Sequence, residues 1–299
     1  MWYTRLAIAC LALVVFALLA AGAVSGYMVY RMTSPPSSHS EINLADFPGH
    51  PEKLNFTVPG EGPRDGWFFP GLKNAPAIVL CPGYESSRGE LLTLASALQE
   101  QQYNVFVFDF SGHGSAGGKS TLGLQEVGEL KAAMDAVAKR GDVDANRFGL
   151  WGMNLGAYVA LAEATNDRRV RAIAVESAYS DPRDMVAVQI NRAGLGSLPF
   201  VTRMAQRIFG WANSQYKSVQ PLTARVANLA GVPQLYLESQ EDPKLAASTS
   251  NIFRLSPIPH ELVDLPHGNY PGMLDEEKRS YENRIASFFL LNLPLSSGR

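Results

Sequence analysis

The sharpest chemical pattern in the chain is Gly152-Met153-Asn154-Leu155-Gly156, set between the apolar run Phe148 to Trp151 and a helical pattern that starts at Leu155. The related spacing G-x-S-x-G builds a nucleophile elbow, in which the central residue stands on a strained strand-to-helix turn and a glycine two places away on each side makes room for it. Both glycines are present here, and the centre is asparagine. A serine Oγ becomes a nucleophile when a histidine takes its proton, whereas a carboxamide has no proton of useful acidity and a delocalised, weakly nucleophilic nitrogen. The turn itself tolerates the exchange, because asparagine is enriched among non-glycine residues at positive φ. The sequence therefore keeps the elbow and deletes its reaction. Where a nucleophile is lost, the remaining binding groups leave about 10³ to 10⁴ over the water reaction.

A residue so placed needs a sheet behind it. Short β-rich runs alternate with longer helical patterns, giving strand candidates Lys53 to Val58, Trp67 to Pro70, Ala77 to Cys81, Asn104 to Phe108, Arg147 to Trp151, Ala172 to Glu176, Gln234 to Glu238 and Glu261 to Leu265. The helix candidates are Leu91 to Gln102, Leu124 to Arg140, Leu155 to Asn166, Pro243 to Arg254 and Asp275 to Asn292. Runs such as Val105-Phe106-Val107-Phe108 are apolar on both faces, as parallel strands must be when helices cover both sides. The fold class is α/β, a doubly wound and mostly parallel sheet. From Asp181 to Leu229 the alternation stops, and residues 181–229 read either as a helical lid inserted at the carboxyl edge or as an extra helical layer that only packs.

With these elements in place, the chain resembles the α/β-hydrolase superfamily, particularly its exported esterase and serine-peptidase-like members, over roughly Lys53 to Leu293. Four further segments carry the likeness: Leu80-Cys81-Pro82-Gly83-Tyr84, Asp109-Phe110-Ser111-Gly112-His113-Gly114-Ser115, Gln240-Glu241-Asp242-Pro243 and Pro266-His267-Gly268-Asn269. The resemblance implies that the backbone N–H groups of Tyr84 and Leu155 form an oxyanion hole. It also implies that Asp242 orients His267 and that His267 acts as general base, with Asn154 in the nucleophile position. Three functions follow from it. The domain is a non-catalytic relative whose cleft holds an acyl, ester or peptide ligand; or Ser115, Ser177, Ser180 or a water activated by His267 replaces the missing nucleophile; or Asn154 hydrolyses to the Asp used by the family's dehalogenases and epoxide hydrolases. Leu155 opposes the dehalogenase version, which usually has Trp beside the nucleophile. The first is the reading adopted, with hydrolysis of small esters, amides or peptides as the alternative.

Other motifs lack their context. Gly112-His113-Gly114-Ser115-Ala116-Gly117 satisfies G-x-G-x-x-G after a strand, but no helix begins within it and the ribose-binding acid has no place, so a dinucleotide is not implied. No cofactor is expected, and neither the five histidines nor Cys10 and Cys81 supply the spacing of a metal site. Of the 299 residues, 26 are basic and 28 acidic, a balance without the basic face that nucleic acid requires.

The N-terminus is the remaining signal. Leu6 to Tyr30 carries no charge over 25 residues, about 37 Å as a helix against a hydrocarbon core of about 30 Å. Residues 1–31 read as a transmembrane signal anchor, residues 32–46 as a Ser/Pro-rich linker and residues 47–299 as the α/β domain. Arg5 and the amino terminus outweigh Arg31, which puts the main domain outside the cytoplasm. Ala21-Gly22-Ala23 resembles a cleavage site, and cleavage there would make the domain secreted.

Overall fold

A computed structural model describes residues 2–36, 47 and 49–295. One sheet of eight strands carries the domain: β1 (Glu52–Val58), β2 (Gly62–Phe69), β3 (Ala75–Cys81), β4 (Asn104–Phe108), β5 (Val143–Met153), β6 (Val170–Glu176), β7 (Gln234–Ser239) and β8 (His260–Leu265). Their order across the sheet is β1-β2-β4-β3-β5-β6-β7-β8. The β1–β2 and β2–β4 pairs are antiparallel and every other pair is parallel. This is the doubly wound, mostly parallel sheet that the sequence pattern requires.

Alternation along the central strands divides the core. Ala77, Val79, Cys81, Phe106 and Phe108 join one apolar cluster, while Ile78, Leu80, Val105 and Val107 join the other. The first is covered by α3 (Glu126–Ala138), α4 (Leu155–Ala164) and α7 (Pro243–Leu255), and the second by α2 (Leu92–Glu100) and α8 (Asp275–Asn292). Two strands begin before their apolar runs. β2 starts at Gly62 because Gly62 to Gly66 pair with β1 as a hairpin, and β5 starts at Val143, which pairs with Ala75. Trp67, Phe68 and Phe69 are buried in the sheet.

Between β6 and β7 lie α5 (Pro182–Arg192), α6 (Pro199–Ala212) and three short 3₁₀ turns. Asp181 caps α5 in a reciprocal box with Asp184, and α6 buries Val201, Ala205 and Phe209 along one stripe.

The N-terminal helix α1 (Trp2–Thr33) is long and apolar enough to cross a membrane, and it divides in two. Residues 2–20 are all exposed, whereas Ser25, Val29 and Met32, at helical spacing, are buried against the domain. Ser25 Oγ donates to the Val201 carbonyl at 3.2 Å, and the Ser120 N–H donates to the Thr33 carbonyl at 2.9 Å. The anchor-and-linker boundary expected at residue 31 is thereby corrected. Met32 and Thr33 complete the helix, because its last turns have an apolar stripe to bury. Most of the proposed linker, residues 37–46, lies outside the described residues.

The elbow depends on close backbone approach. A Cβ on Gly156 would stand 2.0 Å from the Cys81 carbonyl oxygen, and one on Gly152 would stand 2.3 Å from the Gly156 carbonyl oxygen. Gly156→Ala is therefore expected to lower stability by roughly 3 kcal/mol through forced backbone movement. Gly128→Ala, at an α3 position with open space around the new methyl, should instead raise it by about 0.5 to 1 kcal/mol. Thermal melts of the two variants against the parent check both signs.

Candidate functional site

β5 enters the sheet's centre and hands over to α4 through Asn154, whose φ of 37° and ψ of −94° lie in the strained region expected of an elbow. Backbone bonds hold the turn: Asn154 N–H donates to the Glu176 carbonyl at 2.8 Å, and Tyr158 N–H donates to the Asn154 carbonyl at 3.0 Å. The side chain completes it. Asn154 Oδ1 accepts from the N–H of Tyr84 and from the N–H of Leu155, each at 2.6 Å. The structure thus brings together Asn154, Tyr84 and Leu155, and the two backbone donors converge on one oxygen, which is the carboxamide's own. A buried N–H without an acceptor costs about 1 to 3 kcal/mol, so Asn154 satisfies two groups that a shorter side chain would leave to solvent or ligand. Gly83 permits the approach, since a Cβ there would lie 3.0 Å from Asn154 Oδ1 and 2.5 Å from Met153 Cε.

The expected acid and base do not meet. Asp242 caps α7, accepting from Leu245 N–H at 3.3 Å, and its other oxygen pairs with the Arg192 guanidinium at 3.1 Å. An acid ahead of Pro243 meets the unpaired N–H groups of a helix start, and a guanidinium reaching over from α5 takes what remains of it. His267, on the turn after β8, is well exposed, and its Nδ1 lies 3.0 Å from Glu277 in the first turn of α8. That hydrogen bond, with the Glu277 charge, raises the imidazole above its ordinary pKa. The pairing of Asp242 with His267 is corrected accordingly: Glu277 holds the ring, and Asp242 is engaged elsewhere.

The substitute hydroxyls are engaged or isolated. Ser115 Oγ donates to Asp109 at 2.9 Å and Ser180 Oγ lies 3.1 Å from Thr223 Oγ1. Ser177 follows β6 at φ 54° and lines the cleft, but among the described residues His267 bonds only Glu277. His113 is buried edge-on against the Tyr84 ring, with Nδ1 3.0 Å from the Ser111 carbonyl.

Above Asn154 opens a cleft of about 620 Å³ whose wall is acidic: Glu85, Glu90, Glu241 and Asp242 line it, with Glu176 buried at its base and Arg192 the single basic residue. Glu176, at the carboxyl end of β6, is fully buried. Its Oε1 accepts from Asn269 N–H at 2.6 Å and its Oε2 has no partner. Burial pushes its carboxyl from an ordinary 4.5 up to about 7. Glu241 accepts from Gly268 N–H at 2.8 Å. Sequence reasoning missed Glu176, Glu241, Arg192 and Glu277. A signal existed for the first, since groups at the carboxyl ends of parallel strands face the site. Among the described residues no cluster of His, Cys, Asp and Glu could hold a metal ion.

Residues 73–250 match the family described as serine aminopeptidase, S33. An uncharacterised 31.7 kDa protein of the traX-finO intergenic region of Escherichia coli is 28% identical over 136 residues, 44% of this chain and 48% of that one. An uncharacterised protein of Mycobacterium tuberculosis strain H37Rv is 30% identical over 148 residues, 47% and 52% of the two chains. The chain thus matches about half the length of these relatives, while YfhR of Escherichia coli K12 is 24% identical over 81% of this chain and 82% of that one. Among solved structures, the esterase Pf2001 of Pyrococcus furiosus superposes with a TM-score of 0.70 over 88% of this chain and 98% of its own, at 18% identity. The acylaminoacyl peptidase of Pyrococcus horikoshii does so at 0.61 over 83% and 42%, at 15% identity. At these identities the likeness is one of fold.

Burial of Glu176 has a pH signature. Its folded pKa is raised, so the protein holds its proton where the unfolded chain has released it, and stability falls as pH rises from about 4.5 through about 7. Burial raises Glu129 to about 8 and Glu163 to about 7, and both act in the same direction. Glu176→Gln should remove its share, making the variant more stable than the parent at pH 8 by roughly 3 kcal/mol and nearly equal to it at pH 4. Denaturant midpoints across that range measure the difference.

Proposed function

The chain belongs to the serine aminopeptidase S33 family of α/β-hydrolases, and from that premise we propose that it is a membrane-tethered, non-hydrolytic member which binds a ligand in the cleft above Asn154. One observation carries the reading: the Asn154 carboxamide oxygen takes both backbone N–H groups that an oxyanion would need. The chain therefore lacks the attacking hydroxyl, and its oxyanion hole is filled from within. Electrostatic stabilisation of a developing oxyanion is usually the largest single contribution to acyl transfer, and donors already bonded to a fixed oxygen cannot supply it. His267, held by Glu277 and absent from the cleft wall, has no proton to take.

Among acyl, ester and peptide ligands, the acidic wall favours a peptide that presents its ammonium group. Glu241, exposed on that wall, is the acceptor best placed to receive it. The α1 helix acts as a signal anchor that leaves the domain outside the cytoplasm. The buried Ser25, Val29 and Met32 favour its retention, because they fill part of the domain's own core.

A fluorophosphonate probe should label neither the wild-type chain nor Asn154→Ser, because no imidazole adjoins residue 154. Ester turnover by the variant should stay within about 10³ to 10⁴ of the water reaction. Labelling of the wild type would overturn the reading. So would a one-dalton gain in intact mass, the mark of an Asp at position 154. In calorimetric titration, a dipeptide amide with a free amine should bind, and Glu241→Gln should weaken it about tenfold. Equal binding of the N-acetylated peptide would remove the ammonium from the proposal.

A further inference from the structure

Helix α6 of the insertion lies against α1, and the contacts between them fix a direction. Ser25 meets Val201, and a Cβ on Gly22 would touch Met204 Sδ at 3.8 Å, so three residues up one helix correspond to three residues down the other. The helices are antiparallel, and the carboxyl end of α6 points along α1 toward its bare segment. That segment, residues 2–20, measures about 28 Å, close to the thickness of a bilayer's hydrocarbon core. Continued at the same step, Arg203 comes level with Ala23, Arg207 with Leu19 and Trp211 with Val15. Arg207 and Arg203 then stand at and just outside the edge of the hydrocarbon, and Trp211 about one turn within it.

The outward face of α6 suits that depth. Phe200, Arg203, Arg207 and Trp211 fall within about 80° of one another at 100° per residue, and all are exposed, Trp211 to 81%. Among the described residues neither arginine forms a hydrogen bond or an ion pair, so both charges are free for an external partner. A second, independent feature agrees. From Met185 to Leu237 the chain has no Asp or Glu over 53 residues, where its average of 28 in 299 would place about five, yet it has Arg192, Arg203, Arg207, Lys217 and Arg225. Beyond Asp181 and Asp184 at the start of α5, the insertion carries no acid.

We propose that α6 is a second membrane contact, in which Arg203 and Arg207 bind anionic lipid headgroups and Trp211 enters the lipid about one turn below them, beside α1. Aromatic side chains are enriched near the boundary of water and hydrocarbon, and arginine is drawn to a negatively charged leaflet. The inference rests on the reading of α1 as a membrane anchor. It adds that the insertion bordering the cleft lies on the lipid surface, whereas a single helix would let the domain swing free.

The test uses the full chain in a Cys10→Ser background, reconstituted in nanodiscs of phosphatidylcholine alone or mixed with phosphatidylglycerol. Single fluorophores are placed through Leu13→Cys, Trp211→Cys and the equally exposed Leu291→Cys. Leu13 reports the anchor and Trp211 the insertion. A lipid-borne quencher should reach labels 13 and 211. Iodide in water should quench label 211 about tenfold less than label 291, and Arg203→Gln with Arg207→Gln should reduce that protection on anionic discs. If label 13 is in lipid while 211 is as wet as 291, this inference fails and the anchor stands; if label 13 is in water, the anchor fails as well. Protection of label 211 that is unchanged by phosphatidylglycerol or by the arginine variants overturns the headgroup contact. Protection that persists in detergent would point to a second copy of the chain and would overturn it too.

Discussion

Two backbone N–H groups on one side-chain oxygen are the constraint around which the centre of this protein is built. Leu155 opens α4 and, like every residue at the start of a helix, has an N–H with no partner inside the helix. Tyr84 leaves the turn after β3 in the same condition. Asn154 closes both with one carboxamide, 2.6 Å from each, and does so from a backbone conformation that costs on the order of 1 to 3 kcal/mol. The surrounding sequence is shaped by that contact. Gly83 lets the turn reach the carboxamide, Gly156 lets α4 lie on the end of β3, and Gly152 lets β5 pass beneath α4. A longer side chain at any of the three would push apart the groups that Asn154 joins. On the proposed reading, the same geometry lets the fold persist without a reactive oxygen: the asparagine does the turn's structural work.

The parts of the site legible in the sequence are those decided by the backbone. The G-x-N-x-G spacing, the positive φ and the identity of the two donors follow from local geometry and from the order of strand, turn and helix. The side-chain partnerships were not legible, because each depends on a competition between distant groups. Asp242 could face His267 or cap α7, and Arg192, fifty positions earlier in the chain, helps decide it. His267 could reach into the cleft or outward, and Glu277 draws it outward. Nothing in the run Asp275-Glu276-Glu277 distinguishes that role from the ordinary preference of acids for a helix start. Glu176 reads in the sequence as the polar end of an apolar strand, and its burial appears only once α8 and the turn bearing Asn269 close over it.

The fold was legible for a different reason. Apolar runs on β3 and β4 demand cover on both faces, and only helices returning over a parallel sheet provide it. Strand ends were less so, since Gly62 to Gly66 and Val143 to Arg147 are ordered by their neighbours in the sheet and not by their own apolarity. The helix α1 combines both cases. Its apolarity is plain in the composition, but the stripe Ser25, Val29, Met32 is hidden in a segment that is apolar all round, and only the presence of α6 gives it a direction.

That arrangement changes what a terminal helix does for a cleft. A span joined through a flexible segment would fix only the distance of the domain from the lipid and leave its orientation free. Here the last three turns of α1 pack on the domain, and the Thr33 carbonyl is tied to Ser120, so the axis of this helix and the axis of the sheet are coupled, and under the proposed anchor the span would carry the sheet's orientation. Charge is distributed accordingly, with acids around Asn154 and none from Met185 to Leu237. An anionic surface would repel the first region and attract the second, turning the cleft away from the headgroups while holding the insertion against them. A ligand presenting a cationic group would meet a favourable field at the cleft and an unfavourable one at the insertion, so under the proposed reading the two surfaces would sort ligand and lipid by the sign of their charge.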